Sequence, residues 1–374
     1  MRDPKEEKER TLRIIIAGGG TGGHLFPGVA VAMEMCRRYE DAKILFVTGE
    51  RKMESEILSR SGFLQASIAV EGIKGRGWKK GAMVVLKLPW GFLQSMMIIK
   101  RFSPRLVLGV GGYSSGPVCL AARMMGIPSA VHEQNSFPGL TNRLLCKRVD
   151  RVFIAFEESR AHFPGGSLFL TGNPIREALL KEKAPEERRD TGFTVLVMGG
   201  SQGARAINEA FVESLAILRN RGRDPVVIHQ TGERDYSRVL EAYRQRGLEG
   251  KVTPFIQEMA DAYNRANIVV SRAGASTVSE LAALGKPSIL IPYPHAANRH
   301  QETNAGVLVQ VGGAEMVLQK NLSGEGLADL LMRYMDDRVA LQKMGDAARR
   351  VGRPDAARVI ADLLMDMIED ADFR

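Results

Sequence analysis

The sequence predicts an α/β protein built from two doubly wound parallel-sheet domains. Three observations lead there. The chain has 374 residues, more than one ordinary hydrophobic core accommodates and enough for two. Short runs rich in Val, Ile and Leu alternate with longer helical patterns, the rhythm of strands buried on both sheet faces, and this rhythm breaks after Leu180 and then restarts. Glycine-rich stretches repeatedly fill the step from strand to helix, twice in the first half and once in the second.

Taken in order, the first-half strands are Leu12–Ala17, Lys43–Thr48, Gln65–Val70, Leu106–Val110, Ser129–His132 and Arg151–Phe156, with helices between most of them. A short run, Ser167–Thr171, leads into the turn Gly172-Asn173-Pro174, where proline biases its predecessor away from helix. In Lys181–Arg189 every residue except Ala184 and Pro185 is charged, so a solvated segment and a domain boundary are expected nearby. The second half repeats the pattern with Phe193–Met198, Val226–Gln230, Val252–Phe255, Ile268–Ser271 and Ser288–Pro292. Asp355–Ile368 carries apolar residues at helical spacing and is expected to form a closing helix. The division is therefore a charged, disordered leader at 1–10, domains at 11–172 and 173–352, and a final helix at 353–374.

Composition narrows the function classes. With 44% hydrophobic and 25% charged residues, the chain holds ample material for packed cores, and disorder over its whole length is excluded. Lys and Arg outnumber Asp and Glu by 52 to 43, which favours anionic partners: nucleotide phosphates, nucleic acid or an anionic membrane surface. Cys36, Cys119 and Cys146 lack metal-ligand spacing and read as reduced thiols in apolar surroundings. The first ten residues contain no apolar core of a signal peptide, and no stretch approaches the roughly 18 apolar residues of a spanning helix. Any membrane contact is expected to be peripheral.

The glycine loops carry the chemistry. Leu12–Ala17 runs into Gly18-Gly19-Gly20-Thr21-Gly22-Gly23-His24, with a helix expected to begin near Pro27. Such a loop offers bare amides and a helix N-terminus to an anion. Gly18, Gly20 and Gly23 also satisfy the dinucleotide fingerprint, but Glu40, Asp41 and Glu50 do not fall where its acidic partner is needed. Gly109–Pro117 and Gly199–Ala204 form the second and third loops, the second ahead of an apolar helix at Val118–Met125. His24 suits a general base, a helix cap or a phosphate contact. His132-Glu133-Gln134-Asn135 gathers polar groups at the C-terminal end of a strand, where open α/β sheets bind ligands. Ser271–Glu280 places small residues at a helix start; it reads either as a phosphate site with Glu280 on ribose hydroxyls or as a capping box closed by Thr277 and Glu280.

In order, Gly19–His24 through Pro27-Gly28, Gly111-Gly112-Tyr113 with Ser115-Gly116-Pro117, His132–Asn135 with Gly139–Asn142, Gly172–Arg176, Gly199–Arg205 and Arg272-Ala273-Gly274 through Glu280 match one pattern. Over about residues 12 to 350 the chain resembles the MurG family, UDP-N-acetylglucosamine transferases that convert lipid I to lipid II in peptidoglycan synthesis. The resemblance implies a GT-B fold, two Rossmann-like domains facing across a cleft, and an inverting, metal-independent transfer without cofactor. It implies donor binding by Thr21, Gly22, Gly23, Asn135, Arg176, Ser201, Gln202, Ile256, Ala275, Ser276, Thr277, Glu280 and Gln301, with Glu280 on the ribose and the Ile256 backbone on uracil. It implies acceptor binding by Gly20, Gly23, His24, Tyr113, His132, Glu133 and Asn142, with His24 and Thr21 at the reacting hydroxyl and His24 as the base. Phe137 departs from the pattern, a ring where relatives commonly carry aliphatic residues.

A lipid-linked acceptor requires contact with a membrane. Ile73, Trp78, Lys79, Lys80, Trp90 and Phe92 lie in a basic, apolar and aromatic stretch that suits an interfacial patch; the alternative is a core helix with basic ends, which Pro89 is expected to interrupt. The family's location is the cytoplasmic face of the bacterial membrane, its partners lipid I, UDP-GlcNAc, an anionic surface and other cell-wall and division proteins, with no nucleic acid. A UDP-GlcNAc 2-epimerase, a dehydrogenase and a non-catalytic nucleotide-sugar binder are the rival readings.

Overall fold

The structure, a computed structural model, describes residues 11–20, 22–50, 52–70, 78–180, 192–200 and 203–373. It divides into two compact units, Met1–Arg176 with Asp355–Arg374, and Glu177–Pro354.

In the first unit, seven parallel strands, β1 (Arg13–Ala17), β2 (Lys43–Thr48), β3 (Leu64–Ser67), β4 (Leu106–Gly109), β5 (Ser129–Glu133), β6 (Arg151–Ile154) and β7 (Leu168–Leu170), lie in the order β3-β2-β1-β4-β5-β6-β7. Helices α1 (Gly22–Arg38), α2 (Lys52–Ser61), α3 (Trp78–Phe102), α4 (Ser115–Met124) and α5 (Leu140–Leu145) connect them. Alternation along β1 explains why its apolar run is unbroken: Ile14 and Ile16 enter one buried cluster, Ile15 and Ala17 the opposite one.

The second unit repeats the plan with β8 (Thr194–Met198), β9 (Val226–Gln230), β10 (Lys251–Thr253), β11 (Ile268–Ser271), β12 (Ser288–Leu290) and β13 (Glu315–Met316), ordered β10-β9-β8-β11-β12-β13. Its helices include α6 (Arg205–Asn220), α7 (Tyr236–Gln245), α8 (Met259–Arg265), α9 (Ala275–Leu284), α10 (His300–Gln310), α11 (Gly324–Asp336) and α12 (Arg338–Val351). Val195 and Val197 pack with Ile207 and Phe211 of α6 and Leu327 and Leu331 of α11.

The last helix, α13 (Ala356–Asp372), belongs to the first unit. Ile360, Ala361, Leu364, Met367 and Ile368 join the cluster of Ile14 and Ile16, and Arg151 donates to the Leu363 carbonyl at 2.9 Å. Ion pairs of α13 with Arg38, Arg105 and Arg151 line its exposed side, where each contributes little.

The predicted fold class holds: two α/β units, each a fully parallel sheet. Local readings differ in several places: β3 ends at Ser67 and not at Val70, and α4 starts at Ser115 and not at Val118. Helix α1 starts at Gly22, five residues before Pro27; the proline forfeits only its bond to the Gly23 carbonyl, one turn from an end that is short of such bonds anyway. Pro89 does not interrupt α3, which runs unbroken for 25 residues with the proline on its exposed side. Strand β13, two residues long, carries too little pattern to be read in advance.

Candidate active site

In both sheets the strand order reverses between neighbouring strands, β1 and β4 in one, β8 and β11 in the other. Ligands of open α/β sheets bind outside the C-terminal strand ends at such switch points. Each of these strands ends in a glycine-rich or small-residue loop.

In the first unit, the loops after β1 and β4 touch backbone to backbone. Gly19 N–H donates to the Gly111 carbonyl at 3.3 Å. At Gly112, with φ +83°, a side chain would collide with the Gly19 carbonyl, so only glycine allows the approach. Beneath the first loop lies Glu54 of α2, buried, accepting from the Gly20 amide. Its second oxygen, Oε2, has no partner.

His24 stands in the first turn of α1, its Nδ1 2.7 Å from Oε1 of Gln134. Gln134 Nε2 lies 2.9 Å from the Val110 carbonyl and 3.0 Å from His132 Nδ1. His132 Nε2 meets the Gly172 carbonyl at 3.0 Å, and burial pushes this imidazole down to about 4. Glu133, equally buried, is spent on its own loop: Oε1 accepts from the Asn135 amide, and Oε2 from Gly139 N–H and Asn142 Nδ2, each at 2.9 Å. Asn142 Oδ1, both polar atoms of Asn173 and the Ser114 hydroxyl are buried without partners, the usual mark of a site completed by ligand or water. Tyr113 is exposed in the β4 loop, Arg176 lies over the Phe26 ring at 5.6 Å, and Phe137 stacks on His162 at 4.6 Å.

In the second unit, Gln230 at the end of β9 links two segments: its Nε2 donates to the Gly200 carbonyl at 3.2 Å and its Oε1 accepts from Ile256 N–H at 3.0 Å. Gly203, at φ +75°, sits so close to the Thr231 carbonyl that a side chain would overlap it. Helix α9 begins at Ala275 with Gly274 as its N-cap and no side-chain cap. The Thr277–Glu280 capping box is thus not formed; Thr277 is already inside the helix, and Glu280 accepts from the Tyr263 hydroxyl at 2.9 Å. The first-turn amides of α9 and the Ser276 hydroxyl, buried without a partner, open at the switch point and suit an anion. Beside them Arg272 is held by the Ile291 and Pro292 carbonyls at 3.1 and 3.2 Å and by Gln319 at 2.7 Å, over the Tyr293 ring; burial pushes its guanidinium pKa down. Gln301 Oε1 accepts from Tyr293 N–H at 2.9 Å.

The structure places His24, Gly20, Gly23, Tyr113, His132, Glu133, Asn135 and Asn142 on strand ends, loops and following helix starts of the first unit, and Ile256, Ala275, Ser276, Thr277, Glu280 and Gln301 on a loop and the first turns of α9 and α10 in the second. Thr21, Ser201, Gln202 and Ile73 lie outside the described residues, as do the side chains of Trp78, Lys79 and Lys80. Sequence reading assigned no role to Glu54, Gln230 or Tyr263. For Gln230 the signal was present: a polar residue ending an apolar strand. For Glu54 it was a carboxylate four residues before buried Leu58, on the inward face of α2.

Residues 14–154 match the glycosyltransferase family 28 N-terminal domain and residues 194–360 its C-terminal domain. A protein of Syntrophus aciditrophicus named UDP-N-acetylglucosamine--N-acetylmuramyl-(pentapeptide) pyrophosphoryl-undecaprenol N-acetylglucosamine transferase is 46% identical over 96% of this chain and 99% of its own. Its namesake in Geobacter sulfurreducens is 45% identical over 94% and 97%. The crystal structure of Acinetobacter baumannii MurG aligns with a TM-score of 0.77 at 30% identity, over 95% of this chain and 99% of that one. A crystal structure of UDP-GlcNAc 2-epimerase from Neisseria meningitidis reaches a TM-score of 0.66 at 13% identity, over 95% of this chain and 100% of that one, and shares the fold alone. With both domains matched and near-complete coverage by relatives of one name, the chain belongs to the MurG family of glycosyltransferase family 28.

Proposed function

We propose that this chain transfers N-acetylglucosamine from UDP-GlcNAc to the C4 hydroxyl of the MurNAc sugar in undecaprenyl-pyrophosphoryl-MurNAc-pentapeptide, giving lipid II and UDP. The observation that carries the reading is near full-length identity with transferases of that name, and two glycine-lined switch points equipped for different ligands support it. In this reading the second unit holds the donor. Glu280 takes the ribose hydroxyls, Ile256 the uracil, and the α9 amides with Ser276 and Thr277 the diphosphate, where the helix N-terminus stabilises the charge of departing UDP. Thr21, Gly22, Gly23, Arg176, Ser201, Gln202, Gln301 and Asn135 complete the donor set. The first unit holds the acceptor through Gly20, Gly23, Tyr113 and Asn142, with His132 and Glu133 fixing the loops. His24 takes the proton of the C4 hydroxyl as the oxygen attacks the anomeric carbon and the bond to UDP breaks, a single displacement with inversion.

Among the described residues no helix is long and apolar enough to cross a membrane. A peripheral contact at the cytoplasmic face is supported by α3, where Trp90, Leu93 and Met97 are exposed at helical spacing ahead of Lys100 and Arg101. The test is transfer of radiolabelled GlcNAc to a short-chain lipid I analogue with EDTA present and His24→Ala alongside. Product that collapses in the variant supports both transferase and base; UDP-GlcNAc binding without transfer overturns the transferase.

A further inference from the structure

Two backbone carbonyls decide where the protons lie around His24. A carbonyl only accepts. The Gly172 carbonyl at 3.0 Å from His132 Nε2 therefore requires the proton on Nε2. Burial keeps His132 neutral, so its Nδ1 is bare and accepts. The Val110 carbonyl at 2.9 Å from the Gln134 side chain requires the NH2 end of that amide to face it, and the same NH2 supplies His132 Nδ1 at 3.0 Å. The amide oxygen is then turned towards His24 Nδ1, at 2.7 Å. An amide oxygen also only accepts, so Nδ1 carries the proton. No amide flip satisfies these contacts, because the reversed Gln134 sets oxygen against the Val110 carbonyl.

We propose that Gln134 is a positioning residue that fixes His24 as the Nδ1–H tautomer and leaves its Nε2 lone pair bare for the acceptor hydroxyl. The inference deepens the base role given to His24 above and rests on it. The logic parallels that by which a third group orients a catalytic imidazole, with a neutral amide anchored at its NH2 end by the Val110 carbonyl and His132 in place of a carboxylate. A carboxamide sets the tautomer without adding charge beside a diphosphate substrate. Gln134 is buried, so it acts through His24 and does not meet substrate.

The full-length chain, labelled with nitrogen-15, is read by long-range proton–nitrogen correlation of the imidazole rings at about pH 8, where free histidine is neutral; His24 is assigned by loss of its signals in His24→Gln. The wild type is expected to show Nδ1 protonated and Nε2 bare. Gln134→Glu keeps an accepting oxygen opposite His24 when its second oxygen carries a proton towards the Val110 carbonyl, and is expected to keep Nδ1 protonated. Gln134→Met keeps the length, removes the acceptor, and is expected to shift His24 towards Nε2–H, with kcat down about tenfold or more and KM for UDP-GlcNAc unchanged, since a wrong tautomer is costly in such sites. A purely structural role for Gln134 would make both variants alike. Wild-type His24 protonated at Nε2, or an unaltered tautomer in Gln134→Met, overturns the proposal. The wild-type spectrum alone keeps it exposed even where Gln134→Met does not fold. Activity surviving His24→Ala alongside the expected spectra discards the base role and leaves the tautomer relay standing.

Discussion

Tyr263 holds Glu280: the phenol donates to Oε2 of the carboxylate at 2.9 Å across 17 residues of sequence. A hydrogen bond to a charged group contributes about 1.5–3 kcal/mol when both partners are in place. Part of that fixes the carboxylate rotamer for a ribose. Tyr263→Phe is expected to weaken UDP-GlcNAc binding about three- to tenfold by calorimetry, and Glu280→Ala more. Unchanged affinity in Tyr263→Phe would show that Glu280 needs no such support.

Glu54 supports the first unit's own glycine loop. Its carboxylate accepts from the Gly20 amide there, and Glu54→Ala removes that contact. The expected result is a rise of about tenfold in KM for the lipid acceptor, the equivalent of about 1.4 kcal/mol, with UDP-GlcNAc affinity unaltered. Loss of donor affinity of the same size would place the loop on the nucleotide side.

Two buried histidines set an acid limit on stability. His132 is pushed down to about 4 and His229 to about 3, both by burial; His229 is flanked by Tyr243 and Asn208, and Asn208 by Asp235. Below about pH 6.5 the unfolded chain binds a proton at each, whereas the folded chain does so only near those lower values. Stability from this source is complete above pH 6.5 and falls as pH drops, by about 1.4 kcal/mol per histidine at pH 5.5. Urea unfolding at about pH 7.5 and about pH 5.5 measures it, and equal stability at both would refute the linkage.

The exposed face of α3 gives a membrane readout. Replacing Trp90, Leu93 and Met97 together with serine removes three apolar groups that the fold leaves outside. Cosedimentation with anionic vesicles is expected to fall at least severalfold, while GlcNAc transfer to a soluble acceptor analogue is kept. Undiminished sedimentation would remove α3 from the interface.

Leu364→Ala in α13 empties a fully buried position of the first unit, at a cost of about 2–5 kcal/mol. Calorimetric scanning is expected to show the transition of that unit lowered and the other little moved. A shift confined to the second unit would contradict the assignment of α13.

How much was legible follows the range of the interactions. Both sheets could be read because a strand buried on two faces is apolar at successive positions, as in Ile14-Ile15-Ile16. His24 and Glu280 could be flagged because each follows a strand through small residues, and Asn135 because it closes a polar run at a strand's C-terminal end. What Gln134 does could not, since its meaning comes from the Val110 and Gly172 carbonyls, brought in from 24 residues away and, through His132, from 40. The same holds for Tyr263, an aromatic residue in an unremarkable helical pattern until Glu280 is placed beside it.

The docking of α13 on α1 and β4 makes the first unit a split domain, with the whole second unit inserted between its two pieces. The second unit has everything it needs within one continuous segment. The first does not: the face bearing Ile14 and Ile16 is covered by α1 on one part only, and the rest waits for a helix encoded after the entire second unit. Contacts of such long sequence separation form late, so topology lets the second unit close first, while the first passes through an intermediate with part of one apolar sheet face still exposed.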